Sequence, residues 1–93
     1  MKSKVRESEG YVYLVKDSKY YKIGLTTNPK QRLQDIRSTN ITAEIVFLFE
    51  TENMYLLEKE LHGFFKEKRV VGEWFELTEE EQEVIKNSKK NLE

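Results

Sequence analysis

The chain has 93 residues, of which 38% are hydrophobic and 35% are charged, with a net charge of −1 and no cysteine. A chain of this length forms one domain around one modest core, and the absence of cysteine excludes disulfides and thiolate zinc sites. The longest apolar run, residues 45–49, is too short to span a bilayer. The first ten residues lack the apolar segment of a signal peptide, so we expect a cytoplasmic protein with no membrane partner.

The charge is unevenly distributed along the chain. Residues 1–50 carry nine Lys or Arg and six Asp or Glu, whereas residues 51–93 carry seven and eleven. The basic first half is suited to face phosphate groups, and any such binding should be modest and sensitive to salt.

The first predicted elements form a β-hairpin after a flexible arm at residues 1–9. Residues 11–15 and 20–23 are rich in aromatic and β-branched side chains, and Asp17-Ser18 is a plausible turn between them. A loop of two or four residues pairs Val15 with Tyr20 and Tyr13 with Lys22. Because side chains alternate across a sheet, one face is apolar (Val12, Leu14, Tyr21, Ile23), and the other collects Tyr11, Tyr13, Tyr20 and Lys22 beside the bare backbone of Gly24.

The remaining pattern predicts helices around one more strand. Asn28 and Pro29 begin a helix to about residue 37, with Leu33 and Ile36 turned inward. Residues 43–49 form a third strand with both faces covered. A second helix at 53–68 buries a stripe of Leu57, Leu61, Phe64 and Phe65, a short extended piece follows at 73–77, and a capping box of Thr78 and Glu81 begins a last helix at 79–88.

These elements predict an α+β fold, with a small three-stranded antiparallel sheet flanked by helices in the order β-β-α-β-α, short extended piece, α. Residues 10–88 form the single domain and residues 89–93 a frayed tail.

Four side chains from separate elements have the chemistry needed to hydrolyse a phosphodiester. Tyr13 can serve as a general base when nearby positive charge favours the phenolate, and Lys22 opposite it would lower its pKa or contact phosphate. Arg32 suits the nonbridging phosphate oxygens. Glu58, with waters and substrate oxygens, suits a magnesium site. Each residue alone also has a purely structural explanation, as a packed or solvated side chain.

The order of these residues resembles the GIY-YIG nuclease superfamily, above all its small phage and fungal branch, over residues 10–77. Tyr11-Val12-Tyr13 stands at the GIY triplet, and Lys22-Ile23-Gly24 stands at YIG in the KIG form of that branch. Arg32 matches the helix arginine, LLEKELH places Glu58 at the metal-binding glutamate, and GEWFEL closes the segment.

The resemblance implies a DNA endonuclease that uses Mg²⁺ or Mn²⁺, in the cytoplasm of a bacterium or of a host cell if the gene is phage-encoded. It makes Tyr13, Lys22, Arg32 and Glu58 the catalytic residues, with Glu58 binding the metal. Because so small a domain has little surface for sequence recognition, it would depend on a protein partner for specificity or on single-stranded or branched substrate. The supporting or substrate-contacting positions are Tyr11, Gly24, Thr26, His62 and Trp74.

Two other functions stay open from the residues themselves. The chain could be a catalytically weak or inactive module that binds nucleic acid or a nucleotide. It could also be a phage-type protein-interaction module with its aromatic side chains as anchors. Only the nuclease predicts that replacing Glu58 abolishes a metal-dependent activity while the protein stays folded.

Overall fold

A curved antiparallel sheet, seen here in a computed structural model, carries the site residues on and around its central hairpin. The structure describes residues 8–92, with side chains up to residue 87, so most of the predicted arm at 1–9 lies outside the described residues. Ser8, which is described, accepts a hydrogen bond from the Met54 N–H (2.8 Å) and donates its hydroxyl to the Glu52 carbonyl (2.8 Å).

The described elements follow one another as five strands and three helices. Their bounds are β1 Gly10–Asp17, β2 Tyr20–Thr26, α1 Pro29–Arg37, β3 Glu44–Thr51, α2 Met54–Phe64, a 3₁₀ turn Lys66–Lys68, β4 Arg69–Val71, β5 Trp74–Glu76 and α3 Glu79–Leu92. The sheet order is β3-β1-β2-β5-β4, with every neighbouring pair antiparallel.

The α+β class is confirmed, and the count of three strands is wrong. The piece predicted as merely extended is β5, which pairs with β2 on one side and with the short strand β4 on the other. Strand β4 is possible because α2 ends at Phe64 rather than near residue 68. The chain then turns back at Gly72, whose φ of +56° suits glycine. The last helix is longer than the predicted 79–88, since α3 continues to Leu92.

The hairpin register differs from the prediction by two residues. Tyr13 lies opposite Gly24, Val15 opposite Lys22, and Asp17 opposite Tyr20. The turn is Ser18-Lys19, with Ser18 in a left-handed conformation (φ 64°). A shift of two residues preserves the side-chain faces, so the predicted separation of the two faces is confirmed while the cross-strand pair of Tyr13 and Lys22 is wrong.

The two faces of the sheet carry two separate hydrophobic clusters. The apolar hairpin face packs against α2 and α3, and its buried residues include Val12, Leu14, Tyr21 and Ile23. The other face holds a smaller cluster in which Ile36 of α1 packs against Tyr13, Val15 and Ala43. The hairpin face that carries Tyr13 is therefore partly covered by α1, the helix to which Arg32 belongs.

Several local predictions can be compared directly with the structure. Asn28 caps α1, accepting from the Gln31 N–H (3.2 Å), and the Thr78 and Glu81 side chains form the predicted reciprocal cap of α3. The prediction for Phe64 is wrong, because its side chain is 70% exposed beyond the buried stripe of α2. Strand β3 lies at the sheet edge, so its Leu48 is 36% exposed rather than covered. No helix in residues 8–92 is long and apolar enough to cross a membrane.

Candidate functional site at the open edge of the hairpin

The site lies where strand β5 stops pairing with β2. Strand β5 covers β2 only from Tyr20 to Lys22. At Ile23 the backbone N–H donates to the Glu73 carbonyl (3.1 Å), and the Ile23 carbonyl lies 2.8 Å from His62 Nε2. A carbonyl oxygen can only accept, so Nε2 carries a proton and donates it. His62 thus stands in for the missing neighbour strand and holds α2 against the sheet edge.

His62 is further fixed by packing. Its ring meets the buried ring of Phe75 edge-on, with centroids 5.0 Å apart and planes at 82°. This position sets the rotation of α2 about its axis. Because residues four apart lie on one side of a helix, Glu58 comes to the same sheet edge, with its carboxylate 4.0 Å from His62 Nε2.

Tyr13 and Gly24 are cross-strand partners in direct contact. A Cβ atom built on Gly24 would collide with the hydroxyl oxygen and ring carbon Cζ of Tyr13. The missing side chain therefore lets the Tyr13 ring cross the backbone of β2 and place its hydroxyl at the open edge. Tyr13 is only 3% exposed, so its hydroxyl is held in one place by packing.

Glu73 joins these residues, although the sequence analysis did not single it out. Its carboxylate Oε1 lies 2.9 Å from the same point above Gly24 and 3.4 Å from the ammonium of Lys22. It also acts on Glu58, whose pKa it raises. In the sequence, Glu73 could have been noticed as the carboxylate near the start of the GEWFEL segment. We call Tyr13, Lys22, Arg32, Glu58 and Glu73 the edge site.

Burial and the carboxylate of Glu73 both shift the pKa of Glu58. Its pKa is raised, first by desolvation, while His62 lowers it and the charge and hydrogen bond of Glu73 raise it further. Two carboxylates this close disfavour each other's ionised form. A cation at this edge would relieve that repulsion.

In the protein alone, the hydroxyl of Tyr13 is protonated and neutral near pH 7. Burial raises its pKa to about 12, the charges of Glu73 and Glu58 also raise it, and Arg32 lowers it. The expected position of Lys22 opposite Tyr13 is wrong, and its role toward the pKa of Tyr13 stays a prediction. Lys22 faces Val15 in the observed register, and its ammonium pairs with Glu73 and lies 5.4 Å from the centroid of the Trp74 ring.

Arg32 approaches from the helix that covers this face. It lies in the first turn of α1 with an exposed side chain. Together with Lys22 and Trp74 it lines an open cleft of about 260 Å³ between α1 and the sheet. Lys22 and Arg32 therefore bring two cationic side chains to one cleft.

The remaining predicted positions have different surroundings. Tyr11 and Thr26 are cross-strand partners and both are half-buried. They lie two residues along the hairpin from the pair of Tyr13 and Gly24. The Thr26 hydroxyl accepts from the Asn28 N–H (3.0 Å), which orders the entry to α1. His62 supports the sheet edge, and Trp74 forms a wall of the cleft. The catalytic or binding roles of all these residues stay predictions.

The donor atoms at the edge suit a hard divalent cation. Within residues 8–92 no group of three or more His, Cys, Asp and Glu side chains is arranged to hold a metal ion. Glu58 and Glu73 offer two adjacent carboxylates, and magnesium typically takes one or two carboxylates and completes its shell with waters and substrate phosphates. The two carboxylates, from α2 and from the residue before β5, fit that pattern.

Comparison with known proteins gives one match. Neither the curated proteins nor the solved structures include a significant match to the chain. The model of the T5orf172 domain matches residues 10–90, which is most of the chain and includes every residue of the edge site. That domain is a phage-associated one of the GIY-YIG/HNH-like endonuclease type. The chain therefore belongs to the T5orf172 domain family, a phage-associated family of nuclease-like domains.

Proposed function

We propose that this domain is a divalent-metal-dependent endonuclease that hydrolyses phosphodiester bonds in DNA. The observation that carries the proposal is the convergence of a buried tyrosine hydroxyl, two carboxylates and two cations at one open sheet edge. Family membership supports the nuclease class. We also propose that the chain belongs to the small phage and fungal branch with the KIG and GEWF motifs.

Glu58 and Glu73 would hold the metal. Mg²⁺ or Mn²⁺, when bound, supplies a Lewis acid that neutralises charge on the phosphate and favours the phenolate of a nearby tyrosine. Glu73 also fixes Lys22 through their ion pair. The two carboxylates come from segments that are both hydrogen-bonded to Ile23, one through its N–H and one through its carbonyl, so their spacing depends on this one residue of β2.

Tyr13 would act as the general base toward the attacking water. Its hydroxyl is fixed above Gly24, and a positioned group gains rate by avoiding the entropy of approach. A base must be ionised to accept the proton, and its pKa of about 12 leaves Tyr13 neutral near pH 7. Arg32 lowers that pKa, and a bound cation would lower it in the same way.

Lys22 and Arg32 would contact the phosphate. Both line the open cleft beside the edge site, one from β2 and one from α1. Arg32 can donate two parallel hydrogen bonds to phosphate oxygens, and Lys22 provides a point charge. These contacts hold the scissile phosphate next to the Tyr13 hydroxyl and stabilise the charge that develops in the transition state.

A second candidate function is DNA binding without cleavage. The neutral state of Tyr13 favours it, since a domain whose base is never ionised would bind DNA through Lys22 and Arg32 and stop there. The two functions differ in their response to metal, because only the nuclease should be activated by it.

The test is incubation of the purified domain with single-stranded, duplex and branched DNA, with Mg²⁺, with Mn²⁺ and with chelator. Cleavage should require metal and should be lost in Glu58→Gln and Tyr13→Phe and strongly reduced in Arg32→Ala. The matched control is Glu60→Gln, on the exposed side of the same helix, which should cut like wild type. Absence of cleavage on all three substrates with either metal, in a protein that is folded and binds DNA, would favour the binding module.

A further inference from the structure

The open cleft beside the edge site has the features of a binding place for one nucleobase. It lies between α1 and the functional face of the sheet and has a volume of about 260 Å³. It is lined by Lys22, Arg32, Asp35, Ile36, Thr39, Asn40 and Trp74. The lining thus combines two cations, an aromatic ring, an apolar side chain and hydrogen-bonding side chains.

Trp74 supplies a flat stacking surface. It pairs with Lys22 across strands β5 and β2, so the two side chains share the face toward α1. The indole is partly exposed, and the Lys22 ammonium lies 5.4 Å from its centroid. Ile36, from α1, is nearly buried and closes the apolar side. A planar ring can stack on tryptophan regardless of which base it is.

Asp35 and Asn40 add polar groups to the lining of the cleft. Gln31 donates to Asp35 Oδ1 (3.0 Å), and the Thr39 hydroxyl donates to Asn40 Oδ1 (3.1 Å). The lining therefore includes a carboxylate that accepts hydrogen bonds and an amide whose nitrogen can donate them. The edge of a base presents donors and acceptors that groups of these two kinds can pair with.

We propose that this cleft binds an unpaired nucleobase next to the phosphate held by Lys22 and Arg32, so that the domain selects single-stranded or locally unpaired DNA. The inference rests on the proposed function for the position of that phosphate. A base in a duplex is stacked and paired and cannot present its ring and its edge to a cleft, whereas an unpaired base can do both. The cleft therefore supplies a preference that phosphate contacts alone do not.

Trp74 makes the inference directly measurable, because it is the only tryptophan of the chain. With chelator present, the wild-type domain is titrated with a single-stranded oligonucleotide, with its duplex and with a strand of the same length carrying abasic sites throughout. Single-stranded DNA should quench and shift the tryptophan fluorescence at saturation. The abasic strand, which keeps every phosphate, should leave the fluorescence unchanged, and the duplex should bind with at least a tenfold larger Kd, which corresponds to about 1.4 kcal/mol.

Variants make the outcome decisive. Asn40→Ala keeps the fold's core and should weaken single-stranded binding severalfold in an anisotropy assay, and Trp74→Leu should weaken it about tenfold or more, the loss expected for one base–aromatic stack. The control Asn53→Asp, a substitution at the exposed cap of α2 that preserves capping, should bind like wild type. Equal quenching by the abasic strand, or unchanged single-stranded binding in both cleft variants, overturns the inference.

The two proposals fail separately. Base-dependent quenching in a domain that never cuts DNA would support the cleft and reject the nuclease. Metal-dependent cleavage that treats duplex and single strands alike, with no quenching, would reject the cleft and leave the nuclease standing.

Discussion

The side chain of Tyr13 occupies the space that a Cβ atom on Gly24 would need. The two residues face each other across β1 and β2, so the ring crosses the neighbouring strand only because that strand has no side chain there. The orientation of the proposed base is therefore determined by a single glycine.

Gly24→Ala should displace Tyr13 and abolish cleavage. The new methyl group would meet the Tyr13 hydroxyl end and lie 2.9 Å from Glu73 Oε1, and overpacking of this kind costs about 1–3 kcal/mol. The measurement is the free energy of unfolding in urea, with cleavage assayed on the same samples. Gly63→Ala is the matched control, because a Cβ at that helical position meets no atom within 4 Å, and it should gain up to about 1 kcal/mol.

Tyr13→Phe should change how stability depends on alkaline pH. The folded pKa is raised from 10.0 to about 12, so between these values the unfolded chain releases the proton and the folded chain keeps it. Stability contributed by the protonated hydroxyl is fully present below pH 10 and is lost as the pH rises toward 12.

The measurement is urea unfolding of both proteins across that range. The wild type should lose roughly 2–3 kcal/mol relative to Tyr13→Phe between the two pKa values. Parallel curves for the two proteins would mean that the hydroxyl titrates normally and is not buried as described.

Glu58→Gln should be more stable than wild type at neutral pH while being inactive. The folded pKa of Glu58 is raised above its ordinary value of 4.5, so the folded state favours the neutral form. Ionisation of Glu58 therefore lowers the stability of the folded protein once the pH exceeds 4.5. Thermal unfolding should give the variant a higher Tm at pH 7, and the gap should shrink as the pH falls toward 4.5 and be absent below it, where wild type is neutral in both states. A lower Tm for the variant at pH 7 would contradict the described repulsion with Glu73.

Glu73→Gln should weaken divalent-cation binding, measured as Mn²⁺ bound at equilibrium by electron paramagnetic resonance. Loss of one of two carboxylate ligands should raise the Kd at least tenfold. Glu76→Gln is the matched control. Glu76 is the exposed last residue of β5, and its carboxylate pairs with Lys19 at 3.5 Å. Equal Mn²⁺ affinity in the two variants would remove Glu73 from the proposed metal site.

The sequence predicts the hairpin faces well and its pairing poorly, for one physical reason. Side chains alternate with a period of two, so a register error of two residues leaves every face assignment intact. The polar run Lys16-Asp17-Ser18-Lys19 offers several possible turns. The chain uses Ser18-Lys19, and this choice replaces Lys22 with Gly24 as the partner of Tyr13.

Glu73 and the strands around it could not be predicted in the same way. Strands β4 and β5 have three residues each, too few to establish an alternating pattern. Where the Glu73 side chain points depends on the turn at Gly72 and on the pairing of β5 with β2. Both are long-range features, so a carboxylate central to the edge site reads in the sequence like any other exposed glutamate.

The backbone of Ile23 is bonded at both of its polar groups: its N–H donates to the Glu73 carbonyl, and its carbonyl accepts from His62, which lies 39 residues further along the chain. These bonds bring Glu58 and Glu73 to the hairpin. A nascent chain that has produced the hairpin and α1 already contains Tyr13, Lys22 and Arg32, but neither acid. The proposed nuclease therefore gains both metal ligands only after the segment through Glu73 has been synthesised and docked, so a chain that ends before α2 lacks both carboxylates of the edge site.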